Sequence, residues 1–307
     1  MSPAPAQVPL AKLPPWMRVR LGSGDAFRTV KGLSSARGLH TVCSEARCPN
    51  AGECWSSGTA TFMILGDSCT RTCRFCSVAA AARPAPPDPE EPRGLAESVA
   101  ALGLRYAVVT TVCRDDLPDQ GAAHAAACLR AVRTRCPDTR LEFLAQDFRG
   151  DEALLARVLA EGPDVLSHNL ETVERLTPSV RDRRAGYALS LAVLRAARRL
   201  RPGVWTKSSL MLGLGETEEE LLQAFADLLA AGVRVLTLGQ YLRPTREPRH
   251  LPVVEFVPPA RFEELGARAR AMGFLHVASA PFVRSSYRAA ELFMEKAAGT
   301  RSSEASS

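Results

Sequence analysis

Lysine is scarce in this 307-residue chain: only Lys12, Lys31, Lys207 and Lys296 occur, so nearly all of its positive charge is arginine. No block of basic residues of the nucleic-acid-binding kind is present, and the net charge of +6 with a pI of about 9.0 is mild. That balance suits an acidic partner and equally suits an arginine-rich, alanine-rich codon bias. No apolar run approaches the ~20 residues that cross a bilayer, which excludes a spanning helix. Met1–Pro15 is proline-rich and has no charged segment followed by an apolar core, so it does not read as a secretory signal. The expected compartment is the cytoplasm, with neither membrane nor nucleic acid as partner. What the chain does hold is ample core material, 46% hydrophobic residues, and nine cysteines.

From about Thr59 onward, short apolar runs alternate with amphipathic stretches. The expected strands are Thr61–Gly66, Tyr106–Val112, Leu141–Ala145, Val165–Asn169, Trp205–Leu212 and Val233–Gln240, followed by a final run at His276–Val283. Helical patterns occupy His124–Cys136, Glu152–Glu161, Tyr187–Leu200, Thr217–Ala231 and Pro259–Met272. Thr217 and Glu220 form a T-x-x-E capping box, and Gly232 follows the end of that helix. Strands that are apolar throughout, with helices between them, indicate a parallel sheet covered on both faces. The expected fold is α/β, a partial (β/α)6 TIM-like barrel, with an open doubly wound sheet as the alternative. Residues 1–58 form an N-terminal cysteine-bearing extension, 59–275 the barrel, and 276–307 a C-terminal segment that closes the site. Ala79–Gly94, rich in proline, reads as an extended excursion. In either architecture chemistry belongs at the C-terminal ends of the strands.

The cysteines are unevenly spread. Six fall close together: Cys43, Cys48, Cys54, Cys69, Cys73 and Cys76; the others are Cys113, Cys128 and Cys136. An odd count without an export signal argues against a disulfide framework. Structural zinc sites present paired C-x2-C arms and four ligands. Here the spacing is C-x4-C-x5-C followed by C-x3-C-x2-C, two sets of three. Three thiolates suit a [4Fe–4S] cluster whose fourth iron is left open.

Cys69-x3-Cys73-x2-Cys76, in a loop after the first strand with Phe75 before the last cysteine, resembles the motif of the radical S-adenosylmethionine superfamily. Membership implies a cluster whose open iron takes S-adenosylmethionine and whose electron splits the sulfonium, releasing a 5′-deoxyadenosyl radical. The first cysteine set, read as TVCSEARCPNAGECW, narrows the resemblance to the lipoyl synthase family. So do GDSCTRTCRFCSV, VTTVCRDDLPDQGA, SHNLETV, TKSSLMLGLGET, LTLGQYLRPT and PFVRSSY, spread along almost the whole chain.

That resemblance implies sulfur insertion at C6 and C8 of an octanoyl group on a lipoyl carrier domain. The carriers would be 2-oxoacid dehydrogenase subunits and the glycine-cleavage carrier protein. It also implies two [4Fe–4S] clusters, one S-adenosylmethionine per C–H bond, and an electron donor such as flavodoxin or ferredoxin. Cys69, Cys73 and Cys76 would hold the radical cluster. Cys43, Cys48, Cys54 and the serine oxygen of Ser285 would hold an auxiliary cluster that gives up its sulfur. Arg284 would sit beside it. Asn169, Glu171, Lys207, Ser209 and Arg243 are expected to touch S-adenosylmethionine, with ordinary ion pairing as the alternative for Glu171 and Arg243. Asp115 and Asp116 are candidates to orient substrate or cofactor, whereas His168, Cys128 and Cys136 read as structural. The chain departs from the family pattern at Cys113 (the first aspartate of V-D-R-D-D), Gln120, Gln146, Ser209 and Ala280. The nearest enzymatic alternatives are biotin-synthase-like or methylthio-transferring enzymes. A zinc-stabilised interaction module is the non-enzymatic one.

Overall fold

In a computed structural model, the described residues are 13–17, 40–41 and 59–286. Apart from 13–17 and 40–41, the expected N-terminal extension lies outside them, as do Cys43, Cys48 and Cys54. The strands in chain order are β1 His40–Thr41, β2 Thr59–Ile64, β3 Ser68–Cys69, β4 Ala79–Ala80, β5 Tyr106–Thr111, β6 Arg140–Leu144, β7 Val165–Ser167, β8 Trp205–Leu212, β9 Val235–Gln240 and β10 His276–Ser279. The helices are α1 Glu91–Ala101, α2 Ala122–Arg135, α3 Glu152–Leu159, α4 Thr177–Val180, α5 Tyr187–Leu200, α6 Glu218–Ala230 and α7 Pro259–Met272.

One sheet runs β1-β2-β5-β6-β7-β8-β9-β10, parallel throughout except for β1, which pairs antiparallel with β2. The two outermost strands are not each other's neighbours, so the sheet is an open, partial barrel. The final run, expected as a closing segment, begins as a seventh parallel strand: His276 and Ser279 stand opposite Val235 and Leu238. The segment then turns over the end of β9, where Gln240 donates its backbone N–H to the Pro281 carbonyl (3.1 Å). Gly239 makes this crossing possible, because a Cβ there would stand 2.0 Å from the Val283 carbonyl oxygen.

Both faces of the sheet are covered, which is why its strands are apolar without alternation. Outward-facing residues of β2, β5 and β6 pack on α1, α2 and α3, and those of β8 and β9 on α5, α6 and α7. Inside, Tyr106, Val108, Val165 and Val235 fill the lower layer. A polar layer lies within the same interior: Glu142 accepts from Tyr106 Oη (2.6 Å) and from Lys207 Nζ (3.0 Å to each oxygen), and Ser167 Oγ bonds to it at 2.5 Å.

The excursion expected at Ala79–Gly94 ends sooner than its composition suggests. Helix α1 starts at Glu91, with Pro92 in the first turn, where a missing N–H costs nothing. Glu91 also reaches back to the first barrel strand. Its Oε2 accepts the Leu65 N–H (2.9 Å) and bonds to His124 Nε2 (2.6 Å).

Candidate active site

The first strand ends in an abrupt turn. Leu65 is fully buried at φ 71°, and Gly66 follows at φ 95°. This swings residues 67–78 across the barrel mouth and places Cys69, Cys73 and Cys76 along one cavity. The loop is closed by the short β3–β4 pair and by Ala81 N–H donating to the Cys69 carbonyl (3.0 Å).

The loops after four other strands fasten it. Arg71 is buried between Asp115, after β5, and Asp147, after β6. Its Nε and Nη2 each lie 3.0 Å from an Asp115 oxygen, and Nη2 is 2.8 Å from Asp147 Oδ1. Burial alone would raise both carboxyl groups, but the Arg71 guanidinium holds them below the usual aspartate range. After β7, Asp182 accepts from Thr72 N–H (3.0 Å) and its own N–H points at Cys73 Sγ (3.4 Å). After β9, His250 Nε2 meets the Cys76 carbonyl (3.0 Å) while Nδ1 meets Thr245 Oγ1 (2.8 Å). A carbonyl can only accept, so Nε2 carries the proton and Nδ1 accepts from the threonine.

Two adjoining cavities open at this mouth. One, of about 290 Å³, is lined by the three cysteines, Thr110, Gln146 and Arg181 among others. The other, about 420 Å³, is lined by Cys76, Ser209, Met211, Tyr241 and Arg243. Asn169, Glu171, Ser285 and Ser286 border both. Asn169 follows the end of β7. Glu171, at φ 72°, is tied by backbone bonds to Ser209 (3.0 Å) and Met211 (2.9 Å) of β8. Burial raises the Glu171 carboxyl, against which Arg181 and Asn169 act. Asn169 Oδ1 and Arg243 Nε are buried with no hydrogen-bond partner among the described residues, so each is open to a ligand.

The thiols suit a multi-iron group. Among the described residues, only Glu91, His124 and Cys128 bring three ligand atoms within 4.8 Å of one another; the loop thiols are more widely spread than a single ion would draw them. Burial pushes Cys76 up to about 12 and raises Cys73, while Cys69 is lowered to about 6, chiefly by a hydrogen bond from Cys113.

Residues 63–228 match the radical SAM superfamily. A lipoyl synthase of Methylococcus capsulatus is 59% identical over 92% of this chain and 86% of its own length. That of Halorhodospira halophila is 56% identical over 90% and 82%. The chain belongs to the lipoyl synthase family. Among solved structures, the FeFe-hydrogenase maturase HydG from Carboxydothermus hydrogenoformans superposes with a TM-score of 0.58 at 10% identity, covering 82% of this chain and 57% of that one. That likeness concerns the fold alone.

Set against the lipoyl synthase pattern, most of the expected residues within the described region meet at the mouth: the three loop cysteines, Ser285, Asn169, Glu171, Ser209 and Arg243. Lys207 does not, and its reading as an S-adenosylmethionine contact is corrected. It points into the barrel on the same side as Ser209 but one layer deeper, and its ammonium is held by Glu142 with both side chains 1% exposed. Asp115 and Asp116 are likewise spoken for, by Arg71 and by Arg114. His168 is a satisfied core histidine, bonded to the Ala145 carbonyl (2.9 Å) and Ser190 Oγ (3.0 Å), and burial lowers it to about 4. The fastening residues Arg71, Asp147, Asp182 and His250 were not singled out from the sequence. For Asp147 the one local signal is an aspartate soon after a strand end, facing the arginine of T-R-T-C.

Proposed function

We propose that this chain inserts two sulfur atoms, at C6 and C8, into an octanoyl group carried by a lipoyl domain. The observation that carries this reading is the convergence of Cys69, Cys73, Cys76 and Ser285 on one mouth in a lipoyl synthase family member. A saturated methylene offers nothing for an acid, base or nucleophile to attack. When bound, the cluster supplies an electron that splits S-adenosylmethionine and so provides a radical able to take hydrogen from such a carbon, twice per lipoyl group.

The chain's own residues do the rest. Cys69, Cys73 and Cys76 hold the cluster at the mouth. Asn169, Glu171 and Arg243 receive the polar groups of S-adenosylmethionine, using the unpartnered Asn169 Oδ1 and Arg243 Nε. The apolar walls of the first cavity, including Met63, Val112 and Leu144, shield the octanoyl chain from water. Ser285, with Cys43, Cys48 and Cys54, would hold a second cluster that would supply the sulfur, with the serine oxygen a harder ligand than the thiolates to one of its irons. The carriers would be 2-oxoacid dehydrogenase subunits and the glycine-cleavage protein, the electron donor a flavodoxin or ferredoxin, and the compartment the cytoplasm. No helix among the described residues is long and apolar enough to cross a membrane.

The test is an iron and sulfide count after anaerobic reconstitution, in wild type and in a Cys43→Ala, Cys48→Ala, Cys54→Ala triple variant. About eight irons should fall to about four, with S-adenosylmethionine cleavage kept and sulfur insertion lost. A wild type holding only about four irons, or zinc, would refute the two-cluster reading.

A further inference from the structure

The close trio of ligand atoms at Glu91, His124 and Cys128 lies away from the barrel mouth and lines neither of its cavities. Glu91 opens α1, while His124 and Cys128 stand one turn apart on α2, so that i and i+4 present both side chains on one helix face. Cys128 is fully buried among the outer core residues. The Glu91 and His124 side chains are 10% and 14% exposed, which leaves an ion a way in from solvent. Glu91 Oε2 accepts the Leu65 N–H (2.9 Å) and meets His124 Nε2 (2.6 Å), whereas the Cys128 thiol makes no hydrogen bond to a described residue. The trio therefore backs the turn at Leu65 and Gly66 from which the cysteine loop departs. Other contacts close on the same turn. The Leu65 carbonyl accepts from Arg114 Nη1 (3.2 Å), and a Cβ at Gly121, the residue before α2, would stand 2.6 Å from Leu65 Cδ1.

We propose that Glu91, His124 and Cys128 form a zinc site, a clasp between α1 and α2 behind the turn that starts the cysteine loop. A thiolate, an imidazole and a carboxylate are the three donor types zinc takes, and water fills the fourth tetrahedral position. Magnesium and calcium prefer all-oxygen sites, so a sulfur and a nitrogen in the set select against them. Nitrogen and oxygen ligands of a tetrahedral zinc stand about 3.3 Å apart, so the 2.6 Å contact between His124 and Glu91 opens by roughly 0.7 Å as the ion enters. Zinc then replaces two protons, the one Nε2 shares with Glu91 and the one on the thiol. Its role is structural: it acts on the chemistry only through the turn it holds.

The full-length, anaerobically reconstituted chain is incubated with a small excess of zinc chloride, freed of unbound metal by gel filtration, and assayed for zinc and iron by mass spectrometry. Wild type should keep about one zinc per chain with no loss of iron, and Cys128→Ala and His124→Gln should each keep less than about a tenth as much. Zinc-edge X-ray absorption of the wild type should show one sulfur among nitrogen and oxygen ligands. That shell separates this site from zinc held by several cysteines in place of a cluster. A wild type that keeps no zinc, or variants that both keep it, would overturn the proposal and leave a hydrogen bond beside a packed thiol. So would a shell of several sulfurs with iron lost. Variants with wild-type iron are folded; if His124→Gln is not, Cys128→Ala and the wild-type shell still decide. The two-cluster reading stands or falls on iron, and this site on zinc.

Discussion

At the scale of single residues, Lys207 is the most instructive. A lysine in a barrel strand two positions before a mouth residue invites a ligand-binding role, because alternate residues share a face. Depth along the barrel decides otherwise. Glu142 lies on β6 and Lys207 on β8, with Ser167 of β7 between them, so the pair closes across the interior one layer below the cavities. Register between strands far apart in sequence sets that layer, and no local pattern announces it. Removing one partner of a buried ion pair strands the other charge. Lys207→Met should therefore lower stability by about 3–5 kcal/mol in denaturant unfolding of the cluster-loaded chain. Adding Glu142→Leu should recover much of the loss. If the double variant is no more stable than the single one, the pair is not what the lysine supports. Gln120 and Gln146 carry a related lesson. They are two separate departures from the family pattern in sequence, yet the Gln146 side-chain amide donates to the Gln120 carbonyl (2.6 Å). Their proximity was invisible until β6 was placed beside β5.

Whole elements were more legible, because periodicity and caps are local. Helix α6 keeps the boundaries its grammar implies: Glu220 N–H meets Thr217 Oγ1 (3.3 Å) and Thr217 N–H meets Glu220 Oε2 (2.8 Å). Glu220 also pairs with Arg175, which together with the helix start holds its carboxyl down to about 2. Thr217→Ala removes one half of the reciprocal cap and should cost about 1 kcal/mol in thermal or denaturant unfolding. Thr217→Ser should keep nearly all of it, and an equal loss in both would argue that the methyl group matters instead. Helix α1 was read past because prolines crowd its approach, although one proline belongs to its first turn. The strands after β2 were recognisable as apolar runs, but β7 is shorter than its run. His168 and Asn169 leave the sheet there, one to bond Ala145 and the other to enter the mouth.

At the scale of the molecule, the cluster loop joins loops from four other strands, so one face of the barrel carries both the chemistry and a ring of arginines. Arg183, after β7, and Arg246, after β9, are exposed on the loops that border this face. Arg243 Nη2 donates to the Arg246 carbonyl (3.3 Å), which ties that loop to the second cavity. Composition alone could not separate a docking surface from codon bias, since both give arginine everywhere. On the proposed function, a macromolecular substrate would present its octanoyl arm to this mouth, and rim charges would act mainly on the rate of encounter. Replacing Arg183 and Arg246 together by glutamate should weaken binding of an acidic octanoylated carrier domain several-fold at low ionic strength. The difference should shrink as salt rises and the screening length falls to a few ångströms. Titration calorimetry or fluorescence anisotropy at two salt concentrations reads both quantities. An unchanged affinity at low salt would remove electrostatic docking at this rim. A loss that persists at high salt would point to direct contacts of those side chains with the carrier. The bond-breaking residues are untouched in the variant, so S-adenosylmethionine cleavage without carrier should proceed at the wild-type rate, which separates docking from damage to the site.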